Sequence, residues 1–181
     1  MSSAIALLRA VNVAGHGAVT MATLRAFFAE LGFKGARTLL QSGNVVFENP
    51  ASGDAALERC LEGEAEKRLG LRTTFFVRTA TEWASLIAEN PFQTEAERDP
   101  GHLVALCLKA APEAAAVSAL QAAIRGPEVV RAGSRHVYIT YPAGIGRSRL
   151  TAAVLEKALG SPGTGRNWNT VLKLAAAAKE G

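Results

Sequence analysis

The chain opens with apolar residues on both alternating faces of "AIALLRAVNV", which predicts a central β-strand, followed by a glycine-containing loop "VAGHGAV". From Thr20 as cap, Met21, Leu24, Phe27, Phe28 and Leu31 recur at helical spacing until Gly32. "ARTLLQSGNVVFEN" then sets two β-prone runs around Gln41, Ser42, Gly43 and Asn44, the pattern of a hairpin. A second helix, capped by Asp54 and marked by Leu57, Cys60, Leu61 and Leu69, ends at Gly70, and "RTTFFVRT" supplies another strand. The order β-α-β-β-α-β is the split βαβ, or ferredoxin-like, arrangement, with two helices on one face of an antiparallel sheet.

A connecting helix around Trp83, Leu86 and Ile87 stops at Asn90-Pro91, and the acidic "NPFQTEAERDPG" reads as a joint. The same order then begins again. "HLVALCLK" is a strand, Pro112 starts a helix carrying Val117, Leu120 and Ile124, and Gly126-Pro127 ends it. "EVVRAGSRHVYITYP" places two β-prone runs around Gly133 and Ser134, matching the first hairpin with a repeat of about ninety residues. A helix with Ser148 as cap and Val154, Leu155, Ala158 and Leu159 inward follows before Gly160. Where the first half returns to a strand, the second ends in "RNWNTVLKLAAAAKEG", a helix with Trp168, Val171, Leu172 and Ala175 on one face. The reading is an α+β protein of duplicated ferredoxin-like halves, the second copy ending in a helix and having lost or replaced its last strand. Residues 1–80 form the first subdomain, 81–100 the connecting helix and linker, and 101–181 the second subdomain with its C-terminal helix.

Composition agrees with a folded chain: 49% of 181 residues are apolar and 20% charged. No run approaches the roughly 18 apolar residues of a membrane span, and "MSSAIALLRAVNV" lacks a basic leader, so a cytoplasmic protein without a membrane partner is expected. Cys60 and Cys107 have no partner at metal spacing and read as free core thiols, with no metal and no cofactor expected. The net charge of +4 is uneven: residues 1–90 balance nine Lys/Arg against nine Asp/Glu, whereas 91–181 hold eleven against seven. That asymmetry favours an anionic partner for the second half.

Catalytic templates do not match. His16, His102 and His136 lie in unrelated places, with His16 the best placed, in the first glycine loop. "GSPGTGRN" imitates the spacing of a phosphate-binding P-loop, but Arg166 and Asn167 stand where Lys and Ser or Thr belong. In "GIGRSR" Arg149 takes the third glycine of a dinucleotide fingerprint, so neither motif holds. What remains is a turn that opens a helix. Helix-start amides and dipole favour an anion, Gly144 and Gly146 would let it approach the backbone, and Arg147, Arg149 and Ser148 could bind it. The same residues also read as a plain turn with a serine cap. Arg166, Asn167 and Asn169 cluster at another helix start, where Trp168 reads as core rather than a stacking platform.

"ALLRAVNVAGHGAVTMATLRAFFAELGF", "TLLQSGNVVFE", "YPAGIGRSRLT" and "RNWNTVLKLA" resemble the four signature stretches of an uncharacterised bacterial family, domain of unknown function sixteen ninety-seven. The resemblance implies a small cytoplasmic α+β protein with ferredoxin-like halves and brings no activity or catalytic residues. Where the family pattern reads R-G-I-N-V-G-G, this chain has Arg9, Ala10, Val11, Asn12, Val13, Ala14 and Gly15, a loop less open to a ligand. Gly165 stands where a threonine is usual. Arg9, Asn12 and Gly15 are candidate ligand residues, since a guanidinium on a strand with apolar neighbours pairs with a carboxylate or meets a ligand. Gln41, Ser42 and Asn44 read as turn chemistry.

Three functions stay open: a binding module for a phosphate-bearing ligand, a nucleotide or other phosphate-bearing small molecule or a nucleic acid, in the basic second half; an enzyme on a phosphorylated small molecule; and a structural or protein-interaction module. A homodimer is a further open partner. "QSGNVVFEN" does not match the pattern of a standard RNA-recognition domain.

Overall fold

A computed structural model describes residues 2–9, 19–40, 43–49 and 55–180. The expectations for Asn12, Gly15, His16, Gln41, Ser42 and Asp54 lie outside the described residues. The chain divides into two units, residues 1–85 with 173–181, and residues 86–172.

In the first unit, β1 (Ser2–Leu8), α1 (Met21–Glu30), β2 (Lys34–Leu39), β3 (Asn44–Asn49), α2 (Ala55–Leu69) and β4 (Phe75–Thr79) follow in order. The strands form an antiparallel sheet β2-β3-β1-β4. Alternate strand positions Ala4, Ala6, Leu8, Val45, Phe47, Phe75 and Val77 pack with Leu24, Phe27 and Phe28 of α1 and Leu61 and Ala65 of α2. The Phe28 and Phe47 rings, 4.9 Å apart, join helix to sheet. Thr20 caps α1 by accepting from Thr23 N at 3.0 Å, and Gly32, at φ +89°, turns the chain out of it. Cys60 is exposed on α2, a correction to its expected place in the core, whereas Cys107 is buried; both are free thiols.

α3 (Ala80–Ala88) carries the chain out of the first unit. The second unit contains α4 (Gln93–Arg98), a 3-10 turn, β5 (Leu103–Leu108), α5 (Ala114–Ala123), β6 (Val129–Ala132), β7 (His136–Thr140), α6 (Ala152–Leu159), β8 (Gly163–Asn167) and the start of α7 (Trp168–Lys179). Its antiparallel sheet, β6-β7-β5-β8, repeats the strand order of the first. Two similar α+β halves of ferredoxin-like order result, with the chain ending in a helix as expected. Val104, Leu106, Leu108, Val130, Val137 and Ile139 pack beneath Val117 and Leu120 of α5 and Leu155 and Leu159 of α6.

The fourth strand of the second half is present, which overturns its expected loss. β8 pairs antiparallel with β5, Gly163 opposite Leu108 and Arg166 opposite Ala105. "GTGRN" hides this because its glycines carry no alternating apolar pattern. Their surroundings are tight: a β-carbon on Gly163 would lie 3.1 Å from Leu106 and Leu108 side chains, and one on Gly165 would lie 3.0 Å from Val104, so that these neighbours would have to give way slightly. Two inward assignments also change: Val154 and Leu172 are exposed, and Leu174 is buried instead.

Candidate functional site

The end of α5 and the long turn before α6 enclose a pocket of about 520 Å³ in the second unit. α5 stops where Ile124 N bonds back to Leu120 O at 3.2 Å, and Gly126-Pro127 then leads the chain to Glu128. Gly126 leaves room for the Glu128 side chain, whose Oε2 a β-carbon there would displace. Leu120, Ile124, Leu150 and Val154 give the pocket an apolar lining, and Arg125, Arg147 and Arg149 contribute exposed guanidiniums from its two walls. Glu128, 9% exposed, is the one carboxylate among the lining residues.

The turn is held from inside. Gly144, at φ +95°, bonds its N–H to Tyr141 O at 2.9 Å, and Ser148 N bonds to Ile145 O at 3.2 Å. Ser148 Oγ donates to Glu128 Oε1 at 2.7 Å and accepts from Leu150 N at 3.0 Å. Tyr141 donates to Leu150 O at 3.1 Å, and burial, with a smaller contribution from the Glu128 charge, pushes its phenol up to about 12.

Ser148 therefore does not cap the helix. Thr151 does, its hydroxyl accepting from Val154 N at 3.4 Å. The amides of Gly144 and Ser148 are used within the turn, and Gly144 and Gly146 do not line the pocket. Of the residues expected at this turn, Arg147, Ser148 and Arg149 do line the pocket, and Arg125 lines it with them. Neither Arg125 nor Glu128 was expected from sequence; the available signal was an acidic residue two positions after a helix-ending glycine in a basic stretch.

The remaining candidates lie apart from this pocket. Arg166 is buried on β8, donating from Nη1 to Thr164 Oγ1 at 2.8 Å and Gly165 O at 2.9 Å, and desolvation lowers its pKa. Asn167 caps α7 by accepting from Thr170 N at 3.0 Å, Asn169 is exposed, and Trp168 is buried as expected. None of these lines the pocket. Arg9 is half-buried after β1, its backbone N–H bonded to Thr74 O at 3.0 Å. Asn44 is turn chemistry, donating to Leu39 O at 3.0 Å. Among the described residues no group of His, Cys, Asp and Glu could hold a metal ion, and no helix is long and apolar enough to cross a membrane.

The family model "Protein of unknown function (DUF1697)" matches residues 1–138, and the chain belongs to that family. Among solved structures, the conserved bacterial protein SP0830 from Streptococcus pneumoniae is similar over 98% of both chains, with a TM-score of 0.77 and 20% identity. That likeness shows the shared fold. No curated protein matches the sequence.

Proposed function

We propose that the second unit is a binding module for a phosphate-bearing small molecule. One observation carries this reading: Arg125 from one segment, and Arg147 and Arg149 from another, line a single apolar-floored pocket. Guanidiniums bind phosphate oxygens through charge-assisted, often paired hydrogen bonds, and a pocket of this volume is in the range that holds small ligands. A small molecule is favoured over nucleic acid because the central strands offer no open face. Ile5 and Leu7 on one strand, and Ala105 and Cys107 on the other, are buried opposite their helix-covered faces. We also infer that the halves descend from one copied unit. Equal strand orders support this, as do Arg78 and Arg166, which face Ile5 and Ala105 at matching register positions.

The test is titration of the full chain with pyrophosphate and nucleoside diphosphates at low salt, repeated with Arg147→Ala. Loss of one charged hydrogen-bond pair should weaken binding by about tenfold or more. Absence of any phosphate-dependent binding, or an affinity unchanged in the variant, would count against the reading.

A further inference from the structure

Resting on that reading, we infer that the pocket selects guanine nucleotides, with Glu128 receiving the base. Glu128 is more than nine-tenths buried, yet the Ser148 hydroxyl on Oε1 is its one hydrogen-bond donor among the described residues. A carboxylate offers about four acceptor positions, and the Ser148 hydroxyl fills one of them. The three arginines of the pocket do not fill the others, since none of them forms an ion pair with Glu128 and all are exposed. The side chain folds back over Gly126, with Oε2 beside the glycine α-carbon. The pocket thus makes opposite demands: an acceptor set low among apolar side chains, and cationic donors on its exposed walls.

The occupant must therefore be bipolar, with N–H donors on an apolar body and negative charge at its other end. A guanine base has this form. Its N1–H and N2–H point the same way and form a two-pronged donor for one carboxylate, while the flat ring suits the surface of Leu120, Ile124, Leu150 and Val154. Adenine sets an acceptor, N1, beside its amino group and would place that lone pair against a carboxylate oxygen. Hypoxanthine keeps N1–H and lacks the second donor. A buried acceptor left without its donor discriminates strongly between such analogues.

Calorimetric titration of the full chain with guanosine, inosine and adenosine diphosphates and with pyrophosphate tests this. Guanosine diphosphate is expected to bind about tenfold or more tighter than the inosine analogue, and adenosine diphosphate to bind weakest. Glu128→Gln, which offers one acceptor and one donor, should weaken guanosine diphosphate and narrow or reverse its advantage over adenosine diphosphate. Binding of all four probes with the three diphosphates within about threefold of one another, or a preference for adenine, overturns the guanine assignment and leaves the phosphate reading standing. Failure of all four to bind overturns both. The nucleotide series on the unaltered protein decides the matter even where Glu128→Gln fails to fold.

Discussion

Glu58 Oε1, on α2, accepts a hydrogen bond from the backbone N–H of Val77 at 2.8 Å and closes the outer edge of β4 with a buried carboxylate. Two more carboxylates continue the pattern: Glu62 accepts from Phe75 N at 2.9 Å, and Glu82 from Thr79 N at 2.7 Å. Alternate residues of β4 thus give their outward N–H groups to side chains, which denies that edge to another strand. Arg78, 3.4 Å from Glu58 Oε1, offsets part of the buried charge. Glu58→Ala should destabilise the fold by about 3–5 kcal/mol, and Glu58→Gln, which keeps an acceptor, by less. Urea unfolding gives the free energies, and sedimentation should show more self-association in the alanine variant. Equal stability of both variants and the parent would mean that the edge is not held by this carboxylate.

Gly133 makes room for His136. A β-carbon there would overlap the imidazole, which lies edge-on to Tyr138 with centroids 4.9 Å apart. Tyr138 donates its proton to Leu86 O at 2.6 Å, so the 2.9 Å contact with His136 assigns the Nε2 proton to the imidazole. Gly133→Ala should cost about 1–3 kcal/mol by displacing the ring. In a His136→Ala background the same substitution should cost little, because the overlap is gone. A cost that is the same in both backgrounds would refute the steric account.

Ser148 and Arg147 are neighbours with separable roles. Ser148→Ala removes the donor to buried Glu128 and the acceptor for Leu150 N, and should lower stability by about 1–3 kcal/mol. Arg147→Ala removes an exposed side chain and should change stability by about 0.5 kcal/mol or less. Thermal melts of the two variants distinguish them; a large loss with Arg147→Ala would make that arginine a structural tie.

The hairpins and helices were legible because their patterning is local: Val45 and Phe47 alternate toward the core, and Leu24, Phe27 and Phe28 recur at helical spacing. β8 was not, because its signal is steric. Gly163 and Gly165 fit beside Leu106 and Val104 through what they lack, and no periodicity records that. The site divides in the same way. Arg147 and Ser148 stand out in a basic turn, but the Ser148 partner Glu128 lies twenty positions away and meets it only through the fold. Arg166 misled because its charge looked available, whereas strand pairing buries it beside Thr164.

Alkaline pH probes the cores through the two tyrosines of the chain, Tyr138 and Tyr141, both buried. Burial raises both phenols, Tyr141 to about 12 and Tyr138 further. Each therefore holds its proton in the folded state at a pH where the unfolded chain, titrating near 10, has released it. Stability is unaffected by these groups below the unfolded value and falls as pH rises from about 10 toward the folded values. The slope is about 1.4 kcal/mol per pH unit for each tyrosine. Tyrosinate absorbance should stay absent through the ordinary range of a free phenol and then appear together with the loss of far-ultraviolet circular dichroism. Tyr141→Phe should shift that alkaline transition upward. Gradual ionisation centred near pH 10 with the secondary structure intact would show that the phenols are open to solvent, and would remove the Tyr141 to Leu150 bond as a brace of the pocket turn.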